Sequence, residues 1–131
     1  MANILVVDDD PDMLLATKLC LESGGHTVLE AHSGAEGLEA IKAHKPDLIV
    51  LDVMMGTTTE GFQVALKLRS PDPTSEYKPY NKIPIIMLTA IHTTTPLRFG
   101  PDEDYLPADA FMDKPLDPEK MLAQVDKLLK G

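Results

Sequence analysis

Tryptophan is absent from this sequence, cysteine occurs once, and cations are outnumbered: Lys+Arg 12 against Asp+Glu 21, a net charge of −9. A lone Cys20 excludes a disulfide framework and an all-cysteine zinc site. The shortage of positive charge argues against an electrostatic grip on nucleic acid or on an anionic membrane, because both need a cationic face. No apolar run approaches the roughly 20 residues that span a bilayer. The start, MANILVVDDD, lacks the basic beginning and apolar core of a secretory signal. A chain of 131 residues suits one domain that buries about two thirds of its unfolded surface without staples. The expectation is a soluble, cytoplasmic, single acidic domain over residues 1–131, in contact with neither nucleic acid nor membrane.

Acid is present in excess, and its placement says more than its total. Asp8, Asp9, Asp10 and Asp12 crowd together directly after the apolar run Ile4-Leu5-Val6-Val7. Neighbouring carboxylates repel one another, so local stability does not account for them. Asp10-Pro11 reads as an N-cap followed by proline at the first helical position, and Asp12 suits the positive end of that helix. Asp8 and Asp9 are left without a structural role.

The first half alternates short apolar runs with amphipathic helices. Ile4–Val7 has strand length. A helix is expected from about Pro11 to Glu22, with Met13, Ala16, Leu19 and Cys20 on one face and Gly24-Gly25 at its end. Thr27–Ala31 is a second strand. Ser33-Gly34-Ala35-Glu36 is a capping box that opens a helix through Ala35, Leu38 and Ile41 to about His44. Leu48–Leu51 is a third strand ending at Asp52, and a third helix runs from Glu60 to about Arg69 with Phe62, Ala65, Leu66 and Leu68 apolar. Continuously apolar strands alternating with helices indicate a parallel sheet covered on both faces.

The second half carries the same elements with rougher joints. Of the 11 prolines, nine lie between Pro71 and Pro118. Ser70–Lys82 reads as a polar, proline-interrupted loop before the strand Ile85–Leu88. Ala110-Phe111-Met112 is a last strand, and the stripe Met121, Leu122, Val125, Leu128, Leu129 marks a final helix capped at Asp117-Pro118.

In an open parallel sheet the functional crevice lies beyond the carboxyl ends of the strands, where strand order switches. Those ends supply Asp8 and Asp9, then Asp52, Thr89 and Lys114, and a sheet in the order 2-1-3-4-5 would gather all five. Three carboxylates at one mouth cannot all ionise cheaply without a cation among them. Oxygen-only ligands completed by water and phosphate favour Mg²⁺. Lys114 suits a further phosphoryl oxygen, the Thr89 hydroxyl can donate to another, and Asp52 is placed to be the nucleophile that accepts phosphorus.

Ile4-Leu5-Val6-Val7-Asp8-Asp9-Asp10-Pro11, Pro46-Asp47-Leu48-Ile49-Val50-Leu51-Asp52, Pro84-Ile85-Ile86-Met87-Leu88-Thr89-Ala90 and Lys114-Pro115 together resemble the receiver domain of two-component response regulators. The resemblance covers essentially the whole chain. It implies a flavodoxin-like, doubly wound α/β fold, for which a member of the family is a standing illustration. It implies Asp52 as phosphoacceptor, Asp9 and Asp52 as Mg²⁺ ligands with the Val53 carbonyl, and Asp8 acting largely through water. Thr89 and Lys114 would contact the phosphoryl group, and Lys114-Pro115 would be a cis peptide. Phe111 matches the aromatic switch position that works with Thr89; plain core packing accounts for it equally well. The implied donor is a sensor histidine kinase or a histidine phosphotransfer protein, and the output is contact with a downstream protein, as monomer or as phosphorylation-dependent dimer.

Departures from the family pattern are specific. Met55-Gly56 replaces the usual Met-Pro turn, and Thr57-Thr58-Thr59-Glu60-Gly61 is one residue longer than usual. Between His92 and Asp109 the sequence reads Thr93-Thr94-Thr95-Pro96 and Pro101-Asp102-Glu103-Asp104, so the helix that normally joins the fourth and fifth strands is expected to be short, shifted or absent. Three other functions compete. A phosphatase using Asp52 would want a second aspartate at position 54, which is methionine. A flavin or nucleotide binder would want a Gly- or Ser/Thr-rich phosphate loop where Asp8-Asp9-Asp10 stands. A receiver-like module that binds partners without phosphorylation would not need the full residue set. Met54 and His92 occupy the positions that tune dephosphorylation in this family. Met54 offers attacking water no strong hydrogen bond, so slow loss of the phosphoryl group is expected. Replacing Met54 by Asn should shorten the lifetime of the phosphorylated form measurably, and an unchanged lifetime would contradict that role.

Overall fold

The computed structural model describes residues 2–52, 60–68, 74, 76–80, 82–89, 110–113 and 117–130. Among the described residues five strands and four helices succeed one another: β1 (Asn3–Val7), α1 (Pro11–Ser23), β2 (Thr27–Ala31), α2 (Gly34–His44), β3 (Leu48–Asp52), α3 (Glu60–Leu68), β4 (Ile85–Thr89), β5 (Ala110–Asp113) and α4 (Pro118–Lys130). All sheet pairings are parallel, and the order is β2-β1-β3-β4-β5. The anticipated architecture is therefore present. The stretch between His92 and Asp109, where a shortened helix was expected, lies outside the described residues. Among the described residues, no helix is long and apolar enough to cross a membrane.

Strand alternation divides the interior into two clusters. Leu5 and Val7 of β1, Ile49 and Leu51 of β3, and Ile85 and Met87 of β4 meet Leu38 and Ile41 of α2 with Val64, Ala65 and Leu68 of α3. Ile4 and Val6, Leu48 and Val50, and Ile86 and Leu88 turn the other way, against Leu14, Cys20 and Leu21 of α1 and Met121 and Val125 of α4. Side chains of successive strand residues point to opposite faces. A sheet covered on both faces thus needs uninterrupted apolar strands at its centre, which β1, β3 and β4 supply.

Helix α1 starts where Asp10 caps it, with Pro11 at its first position, and Ser33 caps α2 by accepting from Glu36 N at 3.2 Å. The buried face of α1 differs from the one expected. Leu14, Thr17, Cys20 and Leu21 are buried, while Ala16 is exposed and Leu19 is 57% exposed. Leucines occur around most of this helix, so their spacing defines no unique face. Thr17 joins the interior because its hydroxyl donates to Met13 O at 2.9 Å. Leu66 of α3 is likewise exposed, and Val64 takes the interior place.

The connection from α3 to β4 is less of a plain loop than its composition suggests. It contains a 3-10 turn, Lys78–Tyr80, and Tyr77 and Tyr80 pack against the first cluster. Lys42 of α2 pairs with Glu76 and sits 5.3 Å from the Tyr77 ring centroid. At the amino-terminal end of the sheet, Asn3 N donates to Asp47 Oδ2 at 2.8 Å, and Asp47 N donates to Asn3 O at 2.7 Å. Burial pushes the Cys20 thiol above its ordinary pKa, with Asp117 adding a smaller push.

Gly37 marks the closest approach of α2 to the sheet, since a Cβ there would lie 2.9 Å from Val7 Cγ2. Alanine gains about 1 kcal/mol of helix propensity over glycine, but overpacking against a stiff, fully buried valine typically costs about 1–3 kcal/mol. Gly37→Ala should therefore lower the urea-derived unfolding free energy. In a Val7→Ala background the same substitution should raise it, because the propensity gain remains and the clash is gone.

Candidate functional site

The pairing of β1 with β3 places their carboxyl ends side by side, with Val7 level with Leu51. Asp8 and Asp9 leave β1 there, and Asp52 is the last residue of β3. One carboxylate oxygen from each of Asp8, Asp9 and Asp52 lies within 4.8 Å of the others. Asp8 is 1% exposed and Asp52 5%, whereas Asp9 faces solvent. Two ionised carboxylates at this separation repel by on the order of 3 kcal/mol at an effective dielectric of about 20. That repulsion acts most fully between the buried pair Asp8 and Asp52.

Local bonding explains how Asp8 is held. Its backbone N–H donates to Ala31 O of β2 at 3.1 Å, so β1 stays paired one residue past its strand. Its Oδ1 accepts from Asp10 N at 2.9 Å. Asp10 in turn accepts from Asp12 N at 2.9 Å and Met13 N at 3.4 Å. The four aspartates thus divide as their spacing suggests: Asp10 caps α1, Asp12 lies in its first turn, and Asp8 and Asp9 remain for the mouth.

Thr89 ends β4, one residue past the level of Asp52, and its register partner is Asp113 of β5. Of Thr89 and Phe111 only the backbone is described. Val53, Met54, His92 and Lys114 lie outside the described residues, so the structure brings together three of the residues singled out and positions the backbone of two more. A feature that sequence spacing missed is the Asp8–Asp10 bond, whose signal is an aspartate two residues before a helix cap.

The donor set can be tested against a metal on its own chemistry. Three carboxylates supply oxygen ligands only, two of them are withdrawn from water, and their mutual repulsion is relieved by a positive centre. This set suits a hard divalent cation such as Mg²⁺, which binds through one or two carboxylates and keeps sites for water and phosphate oxygens.

A doubly wound parallel sheet in this order with an acidic trio at the switch point defines the class, and comparison with known proteins agrees. The family model for the response regulator receiver domain matches residues 4–126, and the chain belongs to that two-component signalling family. It is 32% identical to the protein PilH of Pseudomonas aeruginosa over 100% of both chains. It is 36% identical to RpaA of Synechocystis sp., described as a DNA-binding dual master transcriptional regulator, over 99% of this chain but 50% of that protein. The chain thus spans about half the length of RpaA, and likewise 50% of the response regulator MprA of Mycobacterium ulcerans. Among solved structures it resembles a CheY-like receiver domain protein from Methanospirillum hungatei, with TM-score 0.78, 28% identity, and coverage of 99% of this chain and 94% of that one.

Because an ion that binds the native state alone stabilises it, Mg²⁺ at a hundredfold excess over its dissociation constant should raise the unfolding free energy by about 2.7 kcal/mol. Asp9→Asn, which removes the solvent-facing carboxylate of the trio and leaves the buried pair intact, should shrink that gain. Calorimetric melts with and without Mg²⁺ measure it, and a parent protein indifferent to the ion would count against a metal role for the trio.

Proposed function

We propose that this chain is a single receiver domain that takes a phosphoryl group from a phosphohistidine protein onto Asp52 in a Mg²⁺-dependent reaction. The observation that carries the reading is the clustering of Asp8, Asp9 and Asp52 at the carboxyl ends of two adjacent strands. Membership of the receiver family supports it.

The reaction is a displacement at phosphorus. An Asp52 carboxylate oxygen attacks, the P–O bond forms as the P–N bond to the donor imidazole breaks, and the electron pair returns to that nitrogen, which takes a proton. The products are an aspartyl phosphate and a free histidine. Asp9, Asp52 and the Val53 carbonyl would hold Mg²⁺, with Asp8 acting through water, and the ion would supply neutralisation of charge on the transferring group. Lys114 contacts one phosphoryl oxygen and Thr89 another. The chain's own contribution is to position and neutralise: burial of Asp52 fixes the nucleophile at a strand end, where it has little freedom to lose.

The domain acts in the cytoplasm and catalyses only its own phosphorylation and dephosphorylation. Its donor is a sensor histidine kinase or a histidine phosphotransfer protein. Its output is a protein contact altered through Thr89 and Phe111, without direct contact to nucleic acid, as monomer or as phosphorylation-dependent dimer.

Intact-mass analysis after incubation with Mg²⁺ and acetyl phosphate tests the reading. A single phosphoryl adduct, stable to acid but labile to base and hydroxylamine, should form on the parent and be missing from Asp52→Asn. An adduct that survives in Asp52→Asn, or none from any phosphodonor, would overturn the assignment.

A further inference from the structure

Asp10 adds no oxygen to the trio, yet one bond ties it to a member of the trio and three tie it to α1. Its backbone N–H donates to Asp8 Oδ1 at 2.9 Å. Its own carboxylate accepts from Asp12 N and Met13 N in the first turn of α1, and its carbonyl accepts from Leu14 N at 2.9 Å. The backbone of Asp10 is therefore fixed from the helix side, and the amide that grips Asp8 cannot turn independently of the helix.

We propose that Asp10 is a positioning residue for the cation site: the cap that starts α1 sets the direction of the Asp10 N–H, and that N–H sets the plane of the Asp8 carboxylate. The inference rests on the reading of the trio as a divalent-cation site. Rotation of a carboxylate about its last bond is broad and nearly unrestrained, so a buried aspartate needs an external bond to present one orientation. One such bond reaches Asp8 from its neighbour but one, and the neighbour has its own orientation from three contacts with α1. Groups that orient metal ligands without touching the metal commonly change affinity by about 10- to 100-fold when removed.

Charge offers a competing route, because Asp10 also carries a negative charge near the mouth. Substitution separates the two. Asparagine keeps the cap acceptor and removes the charge, serine does the same with a shorter side chain, and alanine removes both. Mg²⁺ affinity measured by calorimetry on the full chain should fall about tenfold in Asp10→Ala and stay within about threefold of the parent in Asp10→Asn and Asp10→Ser. Asp117 accepts from Glu119 N and Lys120 N at the start of α4, so Asp117→Ala is the control for loss of a cap elsewhere and should leave the affinity unchanged. In metal-free protein, the Asp10 amide proton should exchange faster in Asp10→Ala and keep its protection in Asp10→Asn.

Equal losses in the Asn and Ala variants would assign the effect to charge and overturn the proposal. So would equal losses in Asp10→Ala and Asp117→Ala, which would mark a general loss of stability, or an Asp10→Ala protein that binds as tightly as the parent. A parent that binds no Mg²⁺ would overturn the cation reading itself, and that outcome is distinct from the other three.

Discussion

The site depends on one adjacency: β1 and β3 are neighbours in the sheet although β2 intervenes in the chain. Paired strands lie about 4.8 Å apart, so acidic residues leaving the same end of both must meet. Two of the three resulting carboxylates are buried, where water screens their repulsion poorly. A positive group among the three relieves that repulsion. That repulsion is what makes three acidic residues at strand ends a fitting set of oxygen ligands for a cation.

Everything around the mouth serves to keep that adjacency in place. The two apolar clusters, one on each face, clamp β1, β3 and β4 from both sides. Helices α1 and α2 begin directly after the carboxyl ends of β1 and β2, so the caps Asp10 and Ser33 lie at the same end of the sheet as the acidic trio. Packing and function therefore share residues. Val7 fills the first cluster against Gly37 of α2 and is also the last strand residue before Asp8.

Much of this was legible in the residues. Continuous apolar runs such as Leu48–Leu51 announce a strand covered on both faces, and acid directly after them announces a strand end. Caps were legible because Asp10-Pro11 and Ser33-x-x-Glu36 are local, with donors and acceptors within one turn. The buried face of α1 was not, since leucines at 14, 15, 19 and 21 allow more than one orientation and the sheet decides between them. Thr17 entered the interior by satisfying its hydroxyl on the preceding turn, an outcome that hydropathy does not signal. Tyr77 and Tyr80 were hidden in a proline-rich polar stretch, and their rings pack against the first cluster beside the exposed Lys42–Glu76 pair that joins the segment to α2. Asp8, Asp9 and Asp52 could be grouped from order alone, because parallel topology with one switch point leaves few other arrangements.

The reciprocal clasp between Asn3 and Asp47 sits at the opposite end of the sheet from the carboxylates. Five residues lead from Asn3 to Asp8, and five lead from Asp47 to Asp52. The two strands therefore act as equal arms hung from one fastening, roughly 16 Å long at strand rise. Lengthening either arm by one residue would exchange its inward and outward faces and lift one carboxylate out of level with the other. Length variation can collect in joints such as the one between α3 and β4. Within these two arms, chain length and site geometry are a single quantity.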